Sequence, residues 1–297
     1  MKHPGHSISN ESYSDGTANP LSLPRLNRLH RKIRMMKAVA VVTYKEWAAY
    51  RSHMLLSLFV GPVFFLVQYF IWTAVYSDKA VIAGFSLDQM LSYYGITTII
   101  YYLTMDFADW NLQMHIRTGS FLTFMLRPLH HRYFALSQKV GHRILGFIFE
   151  FIPVWLIFAL VFKITLVPAN IIWSLCSILL GFLMMFFLNY SVGIIAFWLV
   201  RTSGIRSLIA FFRDVLAGAF LPLTLFPKTI QIILFFMPFQ FTCYLPTRVF
   251  IGNYELGGIS LSLPAAVGIQ AGAVVVMWAI SEILMRRGLK KYTGVGV

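Results

Sequence analysis

The chain has 297 residues, of which 58% are hydrophobic and 12% are charged. Its 25 lysines and arginines against 11 aspartates and glutamates give a formal net charge of +14, and its two cysteines exclude a disulfide framework. The basic residues are dispersed between long apolar runs and are not gathered on one soluble domain. We therefore expect a membrane protein that binds no nucleic acid.

The N-terminal part is polar or amphipathic. Residues 1–30, rich at first in Ser, Asn, Gly and Pro, predict a disordered cytoplasmic leader. Residues 31–53 mix basic side chains with aliphatic and aromatic ones, a pattern typical of an amphipathic helix lying in the inner membrane interface. The alternative is an ordinary helical extension of the first membrane span.

Six apolar segments come close to the roughly 20 residues that a helix needs to cross a bilayer. They are residues 54–76, 87–108, 141–162, 171–200, 207–226 and 261–284. The second is the weakest in hydropathy because it carries Asp88 and Asp106, with Asp109 just beyond it, and the fifth is the shortest. The sequence thus predicts an all-α integral membrane fold, with a six-helix transmembrane domain over 54–284 and a basic cytoplasmic tail over 285–297.

The distribution of basic residues predicts the orientation of these spans. Short loops rich in Lys and Arg stay on the cytoplasmic side. With six spans and both termini inside, only four of the 25 basic residues face outward, namely Lys79, Lys163, Lys228 and Arg248. The excess positive charge then faces the anionic lipids of the inner leaflet.

The loop after the second span carries the sharpest local signal. Gly119 and Ser120 can begin a short helix, Phe121, Leu122, Phe124, Met125 and Leu126 give it an apolar face, and Pro128 ends it. An exposed apolar helix in the cytoplasm needs cover. The residues alone leave two possibilities for what covers this helix: a separate partner, or the inner surface of this chain.

Residues 221–259 are too apolar for a solvated loop and are interrupted by prolines at 222, 227, 238 and 246. Irregular backbone at membrane depth survives only where protein or a water-filled cavity covers it. We expect a pair of short re-entrant helices on the outer side, over 229–236 and 239–250. Two further crossings are the alternative, but these pieces are too short for that.

Ionisable residues inside membrane spans are costly and mark structural or functional sites. The candidates are Asp106, Asp109, Glu150, Arg213 and Asp214. Glu150 and Arg213 each lie seven residues past a basic residue at the inner end of a span, which puts both about 10 Å deep. We therefore predict that Glu150 and Arg213 form an ion pair.

No phosphate-binding loop of the Gly-x-x-x-x-Gly-Lys-Ser/Thr type and no hydrolase or metalloprotease motif occurs in the sequence. We therefore expect no enzyme, and an ATP-driven transporter would need ATP to be bound by another chain. A self-sufficient secondary transporter or channel for a small or amphipathic solute is the alternative, and a lipid-modifying membrane enzyme is a third reading without a motif.

Two stretches carry a family resemblance. The first is Gly119-Ser-Phe-Leu-Thr-Phe-Met-Leu-Arg-Pro-Leu129; the second runs from Leu221-Pro-Leu-Thr-Leu-Phe-Pro227 through Met237-Pro-Phe239 and Tyr244-Leu-Pro246 to Phe250-Ile-Gly252. In this order and spacing they resemble ABC-2 type exporter permeases, and most of all the ABC-2 family transporter proteins. The resemblance covers residues 35–292.

The resemblance implies a set of partners. Two permease subunits, identical or paralogous, pair in the membrane lipids and dock on two copies of a separate ATPase, each through a coupling helix. ATP and Mg would be bound in that ATPase, and no cofactor in this chain. The implied ATPase contact comprises Gly119, Phe121, Phe124, Leu126, Arg127 and Pro128.

The resemblance also implies a location and a route. The location is a bacterial cytoplasmic (inner) membrane, with both termini in the cytoplasm. We expect the route to run between spans two and five of the two permeases. Its outer gate would comprise Leu221, Pro222, Phe226, Pro227 and Pro238.

Overall fold

The computed structural model describes residues 25–49, 51–82, 84–164, 166–199 and 203–292. The helices in these ranges are α1 Arg25–Ala49, α2 Arg51–Val75, α3 Leu87–Thr104, α4 Ala108–Arg117, α5 Phe121–Met125, α6 His131–Gly146, α7 Ile152–Leu160, α8 Ile171–Ile194, α9 Ser203–Leu216, α10 Lys228–Phe236, α11 Tyr244–Ile251 and α12 Leu263–Leu289. A π-helical turn, Phe147–Phe151, joins α6 to α7, and 3₁₀ turns lie at Ile195–Phe197, Leu223–Leu225 and Pro238–Thr242. The fold is helical, as predicted.

Four helical segments are long and apolar enough to cross a membrane: Leu58–Val75, His131–Leu160, Ile171–Phe197 and Leu263–Leu289. They correspond to predicted spans one, three, four and six. The second predicted span is interrupted, because α3 ends at Thr104 and α4 begins at Ala108. The fifth is represented by α9, which has 14 residues. The count of six crossings therefore stays a prediction.

Helix α3 is the central helix, and this explains its modest hydropathy. More than half of its residues are buried, and it packs on α2, α8 and α11. Thr98 and Thr104 donate their hydroxyls to backbone carbonyls one turn earlier, so these polar side chains need no water. A span covered by protein can be less apolar than one covered by lipid. That span two lines a path between two copies stays a prediction, and most of α3 is enclosed within this chain.

Helix α1 lies along α6. At Gly141 an added Cβ would lie 2.2 Å from the Ala40 carbonyl oxygen, so only glycine permits this approach. The Trp47 and His142 rings meet edge to face, 4.3 Å between centroids. Helix α1 begins at Arg25, six residues before the predicted start of the interfacial helix; residues 1–24 of the expected leader lie outside the described residues. A location of α1 in the membrane interface stays a prediction.

The third span begins ten residues earlier than predicted. The helix starts at His131, so Arg132 and Lys139, which precede the predicted span, lie on α6 with Arg143, and all three are buried. They are tolerated there because each meets an acceptor: Glu282, the Phe182 carbonyl and Glu150, respectively. The last helix is also longer than predicted, since α12 continues to Leu289, five residues into the expected tail.

The outer segment contains the predicted short helices and an element that the sequence analysis missed. Helices α10 and α11 form near the expected positions, and a hairpin of β1 Tyr254–Leu256 and β2 Ile259–Leu261 follows. Its two-residue turn is Gly257-Gly258, both with positive φ, and Gly-Gly is a known hairpin signal. The strands are a small exception to the all-α prediction. Re-entry of the short helices into the membrane stays a prediction.

The orientation can be tested by cysteine labelling in a Cys176→Ala background, since Cys176 is exposed and Cys243 is buried. Cysteines at Asp78, Val167 and Ser260, all exposed, should react with an impermeant maleimide on intact cells. Cysteines at Thr123 and Arg287 should react only after permeabilisation. Tyr254 would be an unsuitable position because its side chain is buried. Labelling of Thr123→Cys on intact cells would contradict the orientation.

Candidate functional site

A short helix forms in the inner loop where the sequence predicted one. Gly119 adopts a left-handed conformation, φ 71°, which ends α4 and turns the chain into α5. Thr118 donates its hydroxyl to the Met114 carbonyl, and the Gly119 carbonyl accepts from the Leu122 amide. The turn is therefore fixed by local hydrogen bonds and by the backbone freedom of a single glycine.

The apolar residues of α5 and its end form two groups, one buried within this chain and one exposed. Phe121 and Phe124 are buried within this chain: Phe121 packs edge-on against Phe197 and Tyr292, with centroids 5.3 and 5.6 Å apart. Leu122, Met125 and Leu126 are exposed, and Leu126 is 89% exposed. The prediction that Phe121 and Phe124 contact a partner is therefore wrong, because the chain itself covers them. The free surface consists of Leu122, Met125 and Leu126, which we call the α5 apolar patch.

Arg127 and Pro128 flank this patch and are both exposed. The Arg127 guanidinium lies over the Phe124 ring, 4.5 Å from its centroid, and 5.2 Å from that of Phe134. A cation over an aromatic face is attracted by the ring quadrupole. The contact holds Arg127 beside the patch.

Two histidines lie under α5. His115 Nδ1 lies 3.2 Å from His131 Nε2, and His131 Nδ1 lies 3.2 Å from the Tyr190 hydroxyl. The pKa of His115 is lowered, first because burial disfavours the charged imidazolium and second because Arg127 is also positive. A neutral His115 can accept or donate within this chain of hydrogen bonds, which joins the loop to α6 and α8.

Behind α5 lies an open cavity of about 720 Å³, bordered by α5, α6 and α12. Across it, Arg132 Nη2 lies 3.0 Å from Glu282 Oε2, while Arg286 Nε lies 2.7 Å from Glu282 Oε1. One carboxylate thus holds two arginines. The pair between Arg132 and Glu282 connects the inner ends of α6 and α12.

Glu150 pairs with Arg143, not with Arg213 as predicted. Arg143 Nη1 lies 3.4 Å from Glu150 Oε2, and Arg143 also donates to the Tyr102 carbonyl of α3. An added Cβ at Gly146 would lie 2.8 Å from that Glu150 oxygen, so the glycine makes room for the pair. The prediction was wrong because it matched depth between two helices, whereas the partner lies on the same helical segment, across the start of the π-helical turn.

The remaining buried charges form a second network. Arg213 Nε donates to Asp214 Oδ1 at 2.9 Å, and its Nη1 donates to the Asn189 side chain of α8. Asn189 Nδ2 in turn donates to the Asp106 backbone carbonyl at 3.2 Å, and its distance to the Asp106 carboxylate is 3.4 Å. Asn189 was missed, although an Asn in the middle of an apolar span is itself a signal of a buried polar contact.

Asp109 belongs to the same region. It is buried, and its carboxylate lies 3.4 Å from Arg206 Nη1 of α9. Asp106 and Asp109 therefore contact different partners, Asn189 on α8 and Arg206 on α9. Asp109 thus holds α9 directly through Arg206, whereas Asp106 is linked to α9 only through Asn189, which accepts from Arg213.

In the outer segment, three side chains donate hydrogen bonds to carbonyls of the proline-broken backbone. The Tyr93 hydroxyl donates to the Gly218 carbonyl at 2.7 Å and the Tyr94 hydroxyl to the Phe220 carbonyl at 3.0 Å. The Gln231 amide nitrogen donates to the carbonyls of Thr224 and Phe226, at 3.0 and 2.7 Å. The proline-broken backbone is thus satisfied by protein, through residues that the sequence analysis did not select.

The predicted gate residues lie along this segment. Pro222 is buried beside the 3₁₀ turn, Leu221 and Phe226 are half-buried, and Pro227 directly precedes α10 and is exposed. Pro238 opens the following 3₁₀ turn. The five residues therefore lie along one stretch of proline-broken backbone at different depths, and their function as a gate stays a prediction.

The apolar helices, the buried charge networks and the basic inner loop define a polytopic membrane protein. The family described as ABC-2 family transporter protein matches residues 63–296. The chain belongs to this family, which confirms the resemblance. Membership makes it a permease component of an ABC transporter, a class in which a separate subunit carries the ATPase. No curated protein and no solved structure shows a significant match.

The Arg143–Glu150 assignment can be tested by a double-mutant cycle. Arg143→Met should destabilise the protein by about 3–5 kcal/mol, because it leaves a carboxylate buried without its cation. The double variant Arg143→Met with Glu150→Leu should recover much of that loss. Reversible unfolding in mild detergent would measure both.

The matched control is the pair predicted from depth. Glu150→Gln and Arg213→Gln should be additive to within about 0.5 kcal/mol, because the two sites share no direct contact. Strong coupling between Glu150 and Arg213, together with additivity of Arg143 and Glu150, would overturn the assignment.

Proposed function

We propose that this chain is the permease subunit of an ATP-driven exporter and that the α5 apolar patch docks on the ATPase. The observation that carries the proposal is that α5 has one apolar side buried in this chain and another apolar side exposed. Phe121 and Phe124 fasten the helix to the protein, while Leu122, Met125 and Leu126 stay exposed on a loop that the charge distribution assigns to the cytoplasm. A cluster of exposed apolar side chains marks an interaction site.

The packing under α5 suits a coupling element. Phe121 contacts Phe197, just after α8, and Tyr292, just after α12. Phe124 contacts His115 of α4 and Phe134 of α6, with centroids 4.6 and 4.9 Å apart. A displacement of α5 by an ATPase would therefore act on four membrane-connected elements, since close-packed interiors transmit displacement.

We further propose that a second permease, identical or paralogous, covers α9. None of its residues is buried, yet Arg206 and Arg213 face this chain and Leu208, Phe211 and Phe212 face away. The large side chains of this outward face are all apolar, which suits either lipid or a partner helix. Two-fold pairing through α9 would bring the two outer segments together, and the backbone from Leu221 to Pro238 would then close the exit.

In this assembly ATP and Mg are bound by two ATPase subunits, and the permeases sit in the cytoplasmic membrane of a bacterium with their termini inside. Family membership favours this reading over a self-sufficient secondary transporter or channel, because it associates the chain with a separate ATPase. The dispersed basic residues of the inner surface would contact anionic lipid head groups.

The docking surface can be tested with Leu126→Asp and Met125→Asp. Each places a charge in the middle of the α5 apolar patch without removing a buried contact, so folding and membrane insertion should be unchanged. Co-purification of the ATPase should fall at least tenfold, because desolvating an unpaired carboxylate in an interface is costly. The readouts are the ATPase bound per permease and its ATP hydrolysis.

The control is Lys290→Asp, which adds an acidic residue at an exposed position at the inner end of α12. It should retain the ATPase. Phe124→Asp should instead reduce the amount of folded permease, because Phe124 is buried within this chain. Full retention of the ATPase by both patch variants would refute docking through α5.

Pairing through α9 can be tested by disulfide crosslinking in the Cys176→Ala background. Identical residues near a two-fold axis approach each other, so Leu208→Cys or Phe212→Cys should give a crosslinked dimer in native membranes. Val275→Cys, on the exposed face of α12, serves as the matched control and should stay monomeric. The opposite pattern would place the partner on α12.

A further inference from the structure

A polar cavity of about 620 Å³ opens beside the outer segment. The start of α3, the 3₁₀ turn before α10, the end of α11 and the hairpin border it. Its lining includes Asp88, Gln89, Thr224, Gln231, Arg248 and Glu255. By the charge distribution it lies on the outer side, away from the α5 apolar patch. The ATPase docking proposed for the α5 apolar patch does not involve this cavity.

Arg248 is the unusual residue of this cavity. Its side chain is 7% exposed, and its Nε has no hydrogen-bond partner. Within the described residues no ion pair includes Arg248, and its one aromatic contact is the Phe85 ring, 5.6 Å from the guanidinium. The other buried arginines, Arg132 and Arg143, each meet a carboxylate, and so does the half-buried Arg213.

A second unsatisfied group lies in the same lining. The Thr224 hydroxyl oxygen is buried and has no hydrogen-bond partner in the described part of the chain. The Thr224 backbone is held in place, because Gln231 donates to the Thr224 carbonyl and accepts from the Gly257 amide at 2.9 Å. Buried polar groups are rarely left without a partner. Two such groups bordering one cavity therefore point to a ligand.

The location of Arg248 explains how its charge is tolerated without a carboxylate. It lies in the last turn of α11, where Gly252, φ 104°, ends the helix. The carbonyl end of a helix stabilises a cation. This electrostatic effect leaves the N–H donors of the guanidinium unused, and a guanidinium is suited to two parallel hydrogen bonds to a carboxylate or phosphate.

The rim of the cavity restricts the ligand further. Asp88 and Glu255 are both exposed and both negative. They would repel a purely anionic solute, but they would attract one that also carries an amino group.

We propose that this cavity binds a small zwitterionic solute, whose carboxylate or phosphate oxygens meet Arg248 and Thr224 while its amino group faces Asp88 and Glu255. That this solute is the exported one rests on the proposed function. The binding site itself does not, since it needs neither ATP nor the ATPase.

The test is equilibrium binding to the purified full-length chain in detergent, without an ATPase. The probes are phosphoethanolamine and β-alanine, which carry a phosphate or a carboxylate beside an amine, and inorganic phosphate. We expect saturable binding of at least one zwitterionic probe, tighter than that of inorganic phosphate. Arg248→Gln should weaken it at least tenfold, and Glu255→Gln together with Asp88→Asn should remove the preference for the zwitterion.

Two further variants keep the test informative if Arg248→Gln does not fold. Arg248→Lys retains the charge but loses the paired donors, and Thr224→Val removes the hydroxyl at nearly constant volume; each should weaken binding several-fold. Lys228→Gln, a change of a nearby outer cation that does not line the cavity, should bind as the unmodified protein does. Short-chain phosphatidylethanolamine distinguishes a lipid head group from a free solute, and tighter binding of that lipid would overturn the assignment to a solute.

Absence of binding by all probes, or equal binding by the unmodified protein and the Arg248 variants, would overturn the site. Because the assay contains no ATPase, that outcome is independent of whether α5 docks on one. Loss of ATPase docking in the α5 variants with binding intact would support both proposals separately.

Discussion

The arrangement of the helices depends on the acceptors that the buried cations of α6 find on neighbouring elements. Removing a charge from water costs several kcal/mol, and only a close, well-oriented partner compensates. Helix α6 carries three such cations, and their acceptors are Glu282 on α12, the Phe182 carbonyl on α8, and Glu150 with the Tyr102 carbonyl. Because the acceptors lie on different elements, these contacts fix the position of α6 relative to α3, α8 and α12.

The same helix supports the inner loop. His131, the first residue of α6, lies under α5 and contacts His115, Phe121 and Tyr190. The aromatic side of α5 is therefore anchored to the same helices that the ionic contacts join, and its aliphatic side is left exposed. In the docking proposed above, an ATPase bound to Leu122, Met125 and Leu126 would act on a helix fixed to several elements of the bundle.

The outer end is held by neutral groups and not by ion pairs. There the backbone is broken by prolines, and neutral side chains such as Tyr93, Tyr94 and Gln231 satisfy its carbonyls. Hydrogen bonds between neutral groups are individually weaker than charge-assisted ones. Arg248 is the buried cation left without a carboxylate in the described residues, and it lies in the wall of the outer cavity.

The sequence by itself determined the membrane class, the four longest apolar helices, the short inner helix after Gly119 and the broken outer segment. These features depend on local hydropathy and on glycine and proline geometry. The tertiary structure decided which apolar face is free and which charges pair. Phe124 and Leu126 are both apolar, yet Phe124 is buried and Leu126 is 89% exposed. Glu150 likewise pairs with Arg143 and not with Arg213. Such choices depend on how helices distant in sequence pack together, because burial and pairing are properties of neighbouring surfaces and not of a single segment.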